Sequence, residues 1–432
     1  MTHRAIHCLV CVLIVFACGV FFLRGPNRAL SDSGDFATVY SASRCWLAGT
    51  NPYLQADIDY QYLFAHGDPA RAPNPQTTAS VYPPSIFPLV AVVARLDWEQ
   101  AKRLWLIINL LSFAGSLACF ASSSIVPSRN VTLALIVAFL LFSPLHTGIA
   151  KGQPSVICIS LVVCAFYLQE SHRKYLWLGI LLGVSCCIKP NIALPYVLFS
   201  CWLRQWKAVG VSLVVAAPVS IIALVKLQAT APGWLSAWLN AVHSSAATGG
   251  SMDPTIADPI SYLLVNFQTV VGYFTINQGL CNLLTYLLVG VLAWRVLRFL
   301  RRPLDDSCLL LALLTLLALL STYHRYYDVQ LLMLCVPAGV VFFWKRSAPG
   351  MVVAFAIPSV LLWFPLQALA SKVVGPVTGS KMGLTGIIQF LAYRNQPLCL
   401  TMLAVLFAWA IISQQCQSSE GPKALTIAHP SR

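Results

Sequence analysis

The chain has 432 residues, 58% of them hydrophobic and 10% charged, with 28 basic against 14 acidic side chains and a net charge of +14. An ordinary soluble domain carries roughly a quarter charged residues, so this composition excludes a soluble globular protein. No soluble basic domain is present to hold a nucleic acid, so the positive charge points to lipid headgroups, phosphates and membrane topology.

Apolar stretches of about 15–20 residues recur along nearly the whole length, which is the pattern of membrane helices. The start, MTHRAIHCLVCVLIVFACGVFFLRG, resembles a signal peptide. It lacks an A-x-A site and many apolar runs follow, so a retained first helix is expected over 6–23. Further membrane helices are expected near 104–123, 131–148, 154–169, 175–189, 191–203, 208–228, 279–299, 307–321, 327–344, 350–369 and 398–413, about twelve in all. The 191–203 segment is short enough to be a half-helix. The stretch PPSIFPLVAVVARL (83–96) opens with prolines and is read as interfacial or re-entrant. Most of the 15 cysteines sit in apolar runs and act as small hydrophobes, with neither a disulfide framework nor a zinc site among them.

Basic loops at 170–174, 204–207, 295–303 and 344–346 fall on one side under this count, which the positive-inside rule makes cytoplasmic. The opposite face then carries loop 24–103, the turns AKGQPS and IKPN, loop 229–278, the turn STYHRYYD and loop 370–397. Residues 36–48 read as an amphipathic surface helix ended by Gly49, and 233–243 as a similar one. The expectation is one transmembrane domain over 1–413, followed by a disordered cytoplasmic tail at 414–432. There is no internal repeat, Walker motif or G-x-G-x-x-G.

Polar residues in these external turns have two readings each. In SDSGDF, Asp32, Ser33 or Asp35 can cap the following helix, or one carboxylate can serve as a general base toward a hydroxyl. Gln153 in GQPS can satisfy helix-end backbone groups or line a site. Lys189 in CCIKPN can snorkel or meet a lipid-linked phosphate. The tyrosines of STYHRYYD suit a membrane-edge belt, which accounts less well for His324 and Arg325. His146 reads as a satisfied helix-end histidine. No His–carboxylate spacing suits a metal.

The stretches GDFATVYSASRCWLAGTNPY, VYPPSIFP, KGQPSVI, LGILLGVSCCIKPNIALP and STYHRYYDVQLL, in that order, resemble glycosyltransferase family 87. The resemblance covers roughly residues 30–345 and implies a GT-C-type all-α membrane bundle with two large non-cytoplasmic loops. It implies inverting transfer of a sugar, mannose first, from a polyprenyl-phosphate donor to a lipid or cell-envelope glycan hydroxyl. It also implies a bacterial inner membrane setting, with the site facing outward. Asp35 matches the acidic position of the first external loop that serves as base, whereas Asp32 is left as a cap. His324 joins Asp35 as a catalytic candidate. Lys189, Gln153, Arg325, Tyr82 and Tyr323 are expected to hold donor phosphate or substrate. Lys189→Ala is expected to weaken donor use far more than folding. No cofactor and no metal is called for, since a lysine can meet the phosphate charge. The competing class is a transporter or flippase of lipid-linked saccharides, which should show matched inverted halves; none is apparent.

Overall fold

The computed structural model describes residues 3–67, 80–126, 128–172, 175–300, 307–346, 349–364, 366 and 384–419. In chain order the helices are α1 (His3–Arg24), α2 (Pro26–Ala29), α3 (Gly34–Ala48), α4 (Gln55–Phe64), α5 (Ile86–Ala94), α6 (Trp98–Ala121), α7 (Arg129–Leu140), α8 (Ser143–Lys151), α9 (Pro154–His172) and α10 (Tyr175–Ile188). They continue with α11 (Pro190–Trp202), α12 (Trp206–Thr230), α13 (Trp234–Ala246), α14 (Gln268–Val271), α15 (Gln278–Phe299), α16 (Ser307–Ser321), α17 (Leu332–Arg346), α18 (Pro349–Trp363), α19 (Leu384–Tyr393) and α20 (Asn395–Ser419). Short 3-10 helices occur at Ser261–Leu263 and Tyr326–Leu331. Extended pairing among the described residues is limited to an isolated bridge between Leu264 and Arg325.

The expected segments fall on these helices or, for 131–148, on the bent pair α7–α8; 327–344 is shared between the 3-10 helix at Tyr326–Leu331 and α17, and the end of 350–369 lies outside the described residues. By length and composition, six stretches suffice to cross a membrane alone: Val12–Ala29, α6, α12, α15, Tyr326–Phe343 and Asn395–Cys416. Helices α9, α10, α16 and α18 are apolar but shorter. Leu213, Val214, Ile221 and Val225 on α12, and Leu283, Leu287, Val291 and Trp294 on α15, expose their side chains. In water those faces would be large sticky patches; in hydrocarbon they are the lipid face of an integral membrane protein. Helix α5 has nine residues, a rise of about 14 Å, too short for a ~30 Å core.

Three expectations are corrected. The segment 131–148 is not one helix: α7 and α8 meet at 46°. Pro144 has no N–H to give the Leu140 carbonyl, and Phe142, the residue before α8, is extended at ψ 108°. His146 Nε2 occupies that carbonyl instead, at 2.7 Å, which explains the helix-end histidine. Second, α3 is not a surface helix. Phe36, Val39, Tyr40, Ser41, Ser43 and Trp46 are all buried, because α4 and α5 both pack on it. The Tyr40 phenol donates to Leu96 O at 2.6 Å and Arg44 Nη1 to Ala94 O at 3.1 Å, which pins α3 to the end of α5. Gly49 does end the helix, at φ +78°, the left-handed cap glycine adopts readily. Third, the chain is helical through Ser419, past the start of the expected tail; residues 420–432 lie outside the described residues.

Candidate active site

The KGQPS turn is set by backbone chemistry. Gly152 has φ +66°, its N–H donates to Ile149 O at 3.0 Å, and the Gln153 N–H donates to Gly148 O at 2.9 Å. That pairing is a Schellman motif ending α8. Pro154 then opens α9 as a pre-set first residue. A Cβ on Gly152 would sit 2.7 Å from the Phe36 Cβ, so only glycine lets α3 lie this close. Phe36 stacks on Trp105 at 4.7 Å between ring centres, and Trp105 Nε1 donates to Gly152 O at 2.8 Å. The aromatic pair thus clamps the first turn of α3 against the turn that carries Gln153.

That clamp places Asp35 beside Gln153. Gln153 Nε2 donates to Asp35 Oδ2, and the Tyr82 phenol donates to Gln153 Oε1 at 3.3 Å. Gln153 is buried, whereas Asp35 is half-exposed. No hydrogen bond to Asp35 Oδ1 is present among the described residues. Loss of water first, and the Asp35 charge second, push the Tyr82 phenol well above its ordinary range, so it stays a neutral donor. Asp32 does not cap α3. It pairs with Lys151 at 2.9 Å, and Ser33, the residue before the helix, makes no side-chain cap; its Oγ donates to Ala29 O at 2.6 Å.

The IKPN turn is likewise built around proline. Pro190 cannot continue the hydrogen bonding of α10, and it drives Lys189 to φ −150° and ψ 85°, out of the helical region. Lys189 is buried, so it does not snorkel. Its Nζ donates to Ser155 Oγ at 2.6 Å and to both Asp328 oxygens at 3.2 and 3.3 Å. His324 Nδ1 lies 3.2 Å from Asp328 Oδ2, and the Arg325 N–H donates to the same oxygen at 3.2 Å. A carboxylate only accepts, so Nδ1 carries a proton toward Asp328. The ring Nε2 is buried without a partner among the described residues.

This geometry adds a folding cost to the donor effect expected of Lys189→Ala. Lys189 is one half of a buried ion pair, and removing it strands the Asp328 charge. Asp328 and Ser155 are therefore part of the network, although neither belongs to the candidates read from the sequence.

Arg325 points the other way. Its Nε donates to the Tyr323 phenol at 2.5 Å and its Nη2 to Ser251 O at 3.3 Å. Burial pushes the Tyr323 phenol upward, against the pull of Arg325. Asp35 lies within electrostatic reach of Tyr82, Tyr323, Tyr327 and Arg325. Asn191 Nδ2 donates to Tyr323 O at 3.2 Å, tying IKPN to the same turn. The second large loop closes on it through the Val265 N–H, which donates to His324 O at 3.0 Å. The structure thus brings all seven predicted residues into one neighbourhood, in two hydrogen-bonded groups that share the GQPS turn.

A helical membrane protein with a polar cluster built from its loop ends is the class that fold and site define. The chain belongs to glycosyltransferase family 87, whose pattern matches residues 81–322, and is a membrane glycosyltransferase. Tyr82, Gln153 and Lys189 fall inside the match; Asp35, Tyr323, His324 and Arg325 fall outside it. No curated protein matches the chain. Among solved structures, the crystal structure of ArnT from Cupriavidus metallidurans bound to undecaprenyl phosphate is similar at TM-score 0.42 and 13% identity, over 94% of this chain and 76% of that one.

Proposed function

We propose that this glycosyltransferase moves a sugar, mannose in first expectation, from a polyprenyl-phosphate donor to a hydroxyl of a lipid or envelope-glycan acceptor on the non-cytoplasmic face. The observation that carries the reading is Asp35: a half-exposed carboxylate, held at one oxygen by Gln153 and open at the other, at the mouth of a basic, tyrosine-lined turn. In the transfer, the acceptor oxygen forms a bond to the anomeric carbon while the bond from that carbon to the phosphate oxygen breaks. The electron pair leaves with the phosphate, and the acceptor proton passes to Asp35. Attack from the side opposite the phosphate inverts the anomeric centre. Arg325 is the cation within reach of Asp35 and meets the charge that develops on the leaving phosphate. Lys189, already shared with Asp328, contributes at longer range and fixes His324, while Tyr82 and Tyr323 border the sugar.

An apolar groove of about 490 Å³, lined by Pro195, Leu198 and Trp202 of α11, Val296 of α15, and Leu317 and Ser321 of α16, supports the lipid-linked donor. Its Ser321 end lies two residues from Tyr323, so a polyprenyl tail there leaves its phosphate beside the site. The positive-inside count supports a non-cytoplasmic position for this end, which in this reading is the outer face of a bacterial inner membrane.

The test is incubation of the purified protein with labelled polyprenyl phosphate sugars and a membrane lipid extract. Label should appear in a new lipid or glycan. If label stays on the donor while the donor itself crosses the bilayer of proteoliposomes, the chain is a flippase and the reading fails.

A further inference from the structure

A second polar cluster, built from the large loop and the head of α20, takes no part in the transfer chemistry above. Arg394, the residue before α20, is 1% exposed. Its Nη2 donates to Ser261 Oγ at 3.0 Å, while Nε and Nη1 have no partner among the described residues. The first two residues of the helix, Asn395 and Gln396, are also buried, and the oxygen and nitrogen of both amide groups have no partner among the described residues. Asp258 feels the charge of both Arg394 and Arg325. Yet its Oδ1 accepts from the Ile260 N–H at 3.0 Å, and its buried Oδ2 has no partner. The cluster adjoins the transfer site through one loop. Ser251 and Leu264 both contact Arg325, and Ser261 lies between them in sequence.

Burying a guanidinium with two free nitrogens is costly unless something accepts their protons. Neutral hydroxyls offer single bonds, whereas a phosphate or carboxylate matches the planar fork with two. Asn395 and Gln396 add amide donors at the positive end of a 25-residue helix, where an anion is favoured. Burial holds the Arg394 guanidinium down to about 10, so it stays charged at neutral pH and needs a counter-charge.

We propose that Arg394, Asn395 and Gln396 form a second anion site, separate from the donor phosphate, that grips a phosphate or carboxylate carried by the acceptor. The proposal rests on the transferase reading for the word acceptor, but the site itself is tested without turnover.

The experiment is thermal unfolding of the full-length detergent-solubilised protein, titrated with inorganic phosphate, with glucuronate, and with glucose as the neutral control. One or both anions should give a saturable rise in Tm, since a ligand that binds only the folded state stabilises it; glucose should give none. The rise should persist with polyprenyl phosphate present, which fills the donor site. Arg394→Gln should abolish it. Arg394→Lys keeps the charge without the fork and should bind roughly 10- to 150-fold more weakly, which carries the test if the glutamine variant does not fold. Asp258→Asn should leave anion binding intact or tighten it. An anion effect erased by polyprenyl phosphate but surviving in Arg394→Gln belongs to the donor site and overturns the proposal. No anion effect in the parent makes Arg394 a mere structural counter-charge to Asp258, and also overturns it. A protein that binds the anion through Arg394 but transfers no sugar sinks only the transferase reading.

Discussion

Asp35 and Asp328 are both reached by side chains of the same short turn, Gln153 for the first and Ser155, through Lys189, for the second. Asp328 is fully buried, and its two oxygens are taken by the Lys189 ammonium, the His324 ring and the Arg325 N–H. Asp35 is partly exposed, holds one donor from Gln153, and its other oxygen has no partner among the described residues. A carboxylate with both oxygens tied to buried partners cannot accept a substrate proton without disturbing its network, whereas one with an oxygen that no described residue engages can. In the proposed reading the buried group positions and the open group acts, and this division can be broken experimentally.

The largest effect is expected at the buried pair. Asp328→Asn leaves the Lys189 ammonium without its counter-charge, and breaking one partner of a buried pair typically costs about 3–5 kcal/mol. The expected outcome is poor yield or a strongly lowered unfolding temperature in detergent. A stable Asp328→Asn protein with lost turnover would reverse the roles assigned to the two carboxylates. Asp35→Asn comes next. The amide preserves size and still meets Gln153 after a flip, but it cannot take a proton. Turnover should fall by at least ~10²-fold, the usual scale of general-base catalysis, with Tm and donor binding unchanged. Turnover within a few-fold of the parent would move the base elsewhere, with His324 Nε2 next in line.

Gly152→Ala tests the clamp that separates the two environments. The left-handed conformation costs an L-residue about 1–2 kcal/mol, and the added Cβ presses on Phe36 where neither backbone can yield easily. A stability loss of roughly 1–3 kcal/mol is expected, together with a drop in turnover as Asp35 shifts off Gln153. Full activity would show that the α3 contact is not what aims Asp35.

How far this was legible in the sequence differs from motif to motif. The turns are written in glycine and proline: Gly152–Pro154 ends one helix and starts another, and Pro190 places Lys189 at a break, so Gln153 and Lys189 stand out as polar groups between apolar runs. The partners do not stand out. Lys189 and Asp328 are 139 residues apart, and no local pattern tells a lysine that meets a carboxylate from one that meets a phosphate. The burial of α3 is hidden for a similar reason, since helical spacing defines an apolar face but not what covers the other. The break at Leu141–Phe142 is signalled by Pro144 just after it, but the apolar run continues through it and masks the signal.

The smallest expected effect is at Asp32, three residues before Asp35 and of the same charge. Its carboxylate pairs with Lys151 at 2.9 Å, with side chains 31% and 42% exposed. Exposed pairs of this kind are typically worth about 0–1 kcal/mol, because water screens the charges and two long side chains lose freedom. Asp32 also makes no cap hydrogen bond to α3, so the backbone does not depend on it. Asp32→Asn should therefore change Tm by a degree or two at most and leave turnover within about twofold, while Asp35→Asn loses it. Both variants remove one negative charge from the same loop, so the contrast separates a specific proton acceptor from a general electrostatic field. A large loss of turnover in Asp32→Asn, matching that of Asp35→Asn, would mean that the loop acts through its summed charge and that no single carboxylate is the base.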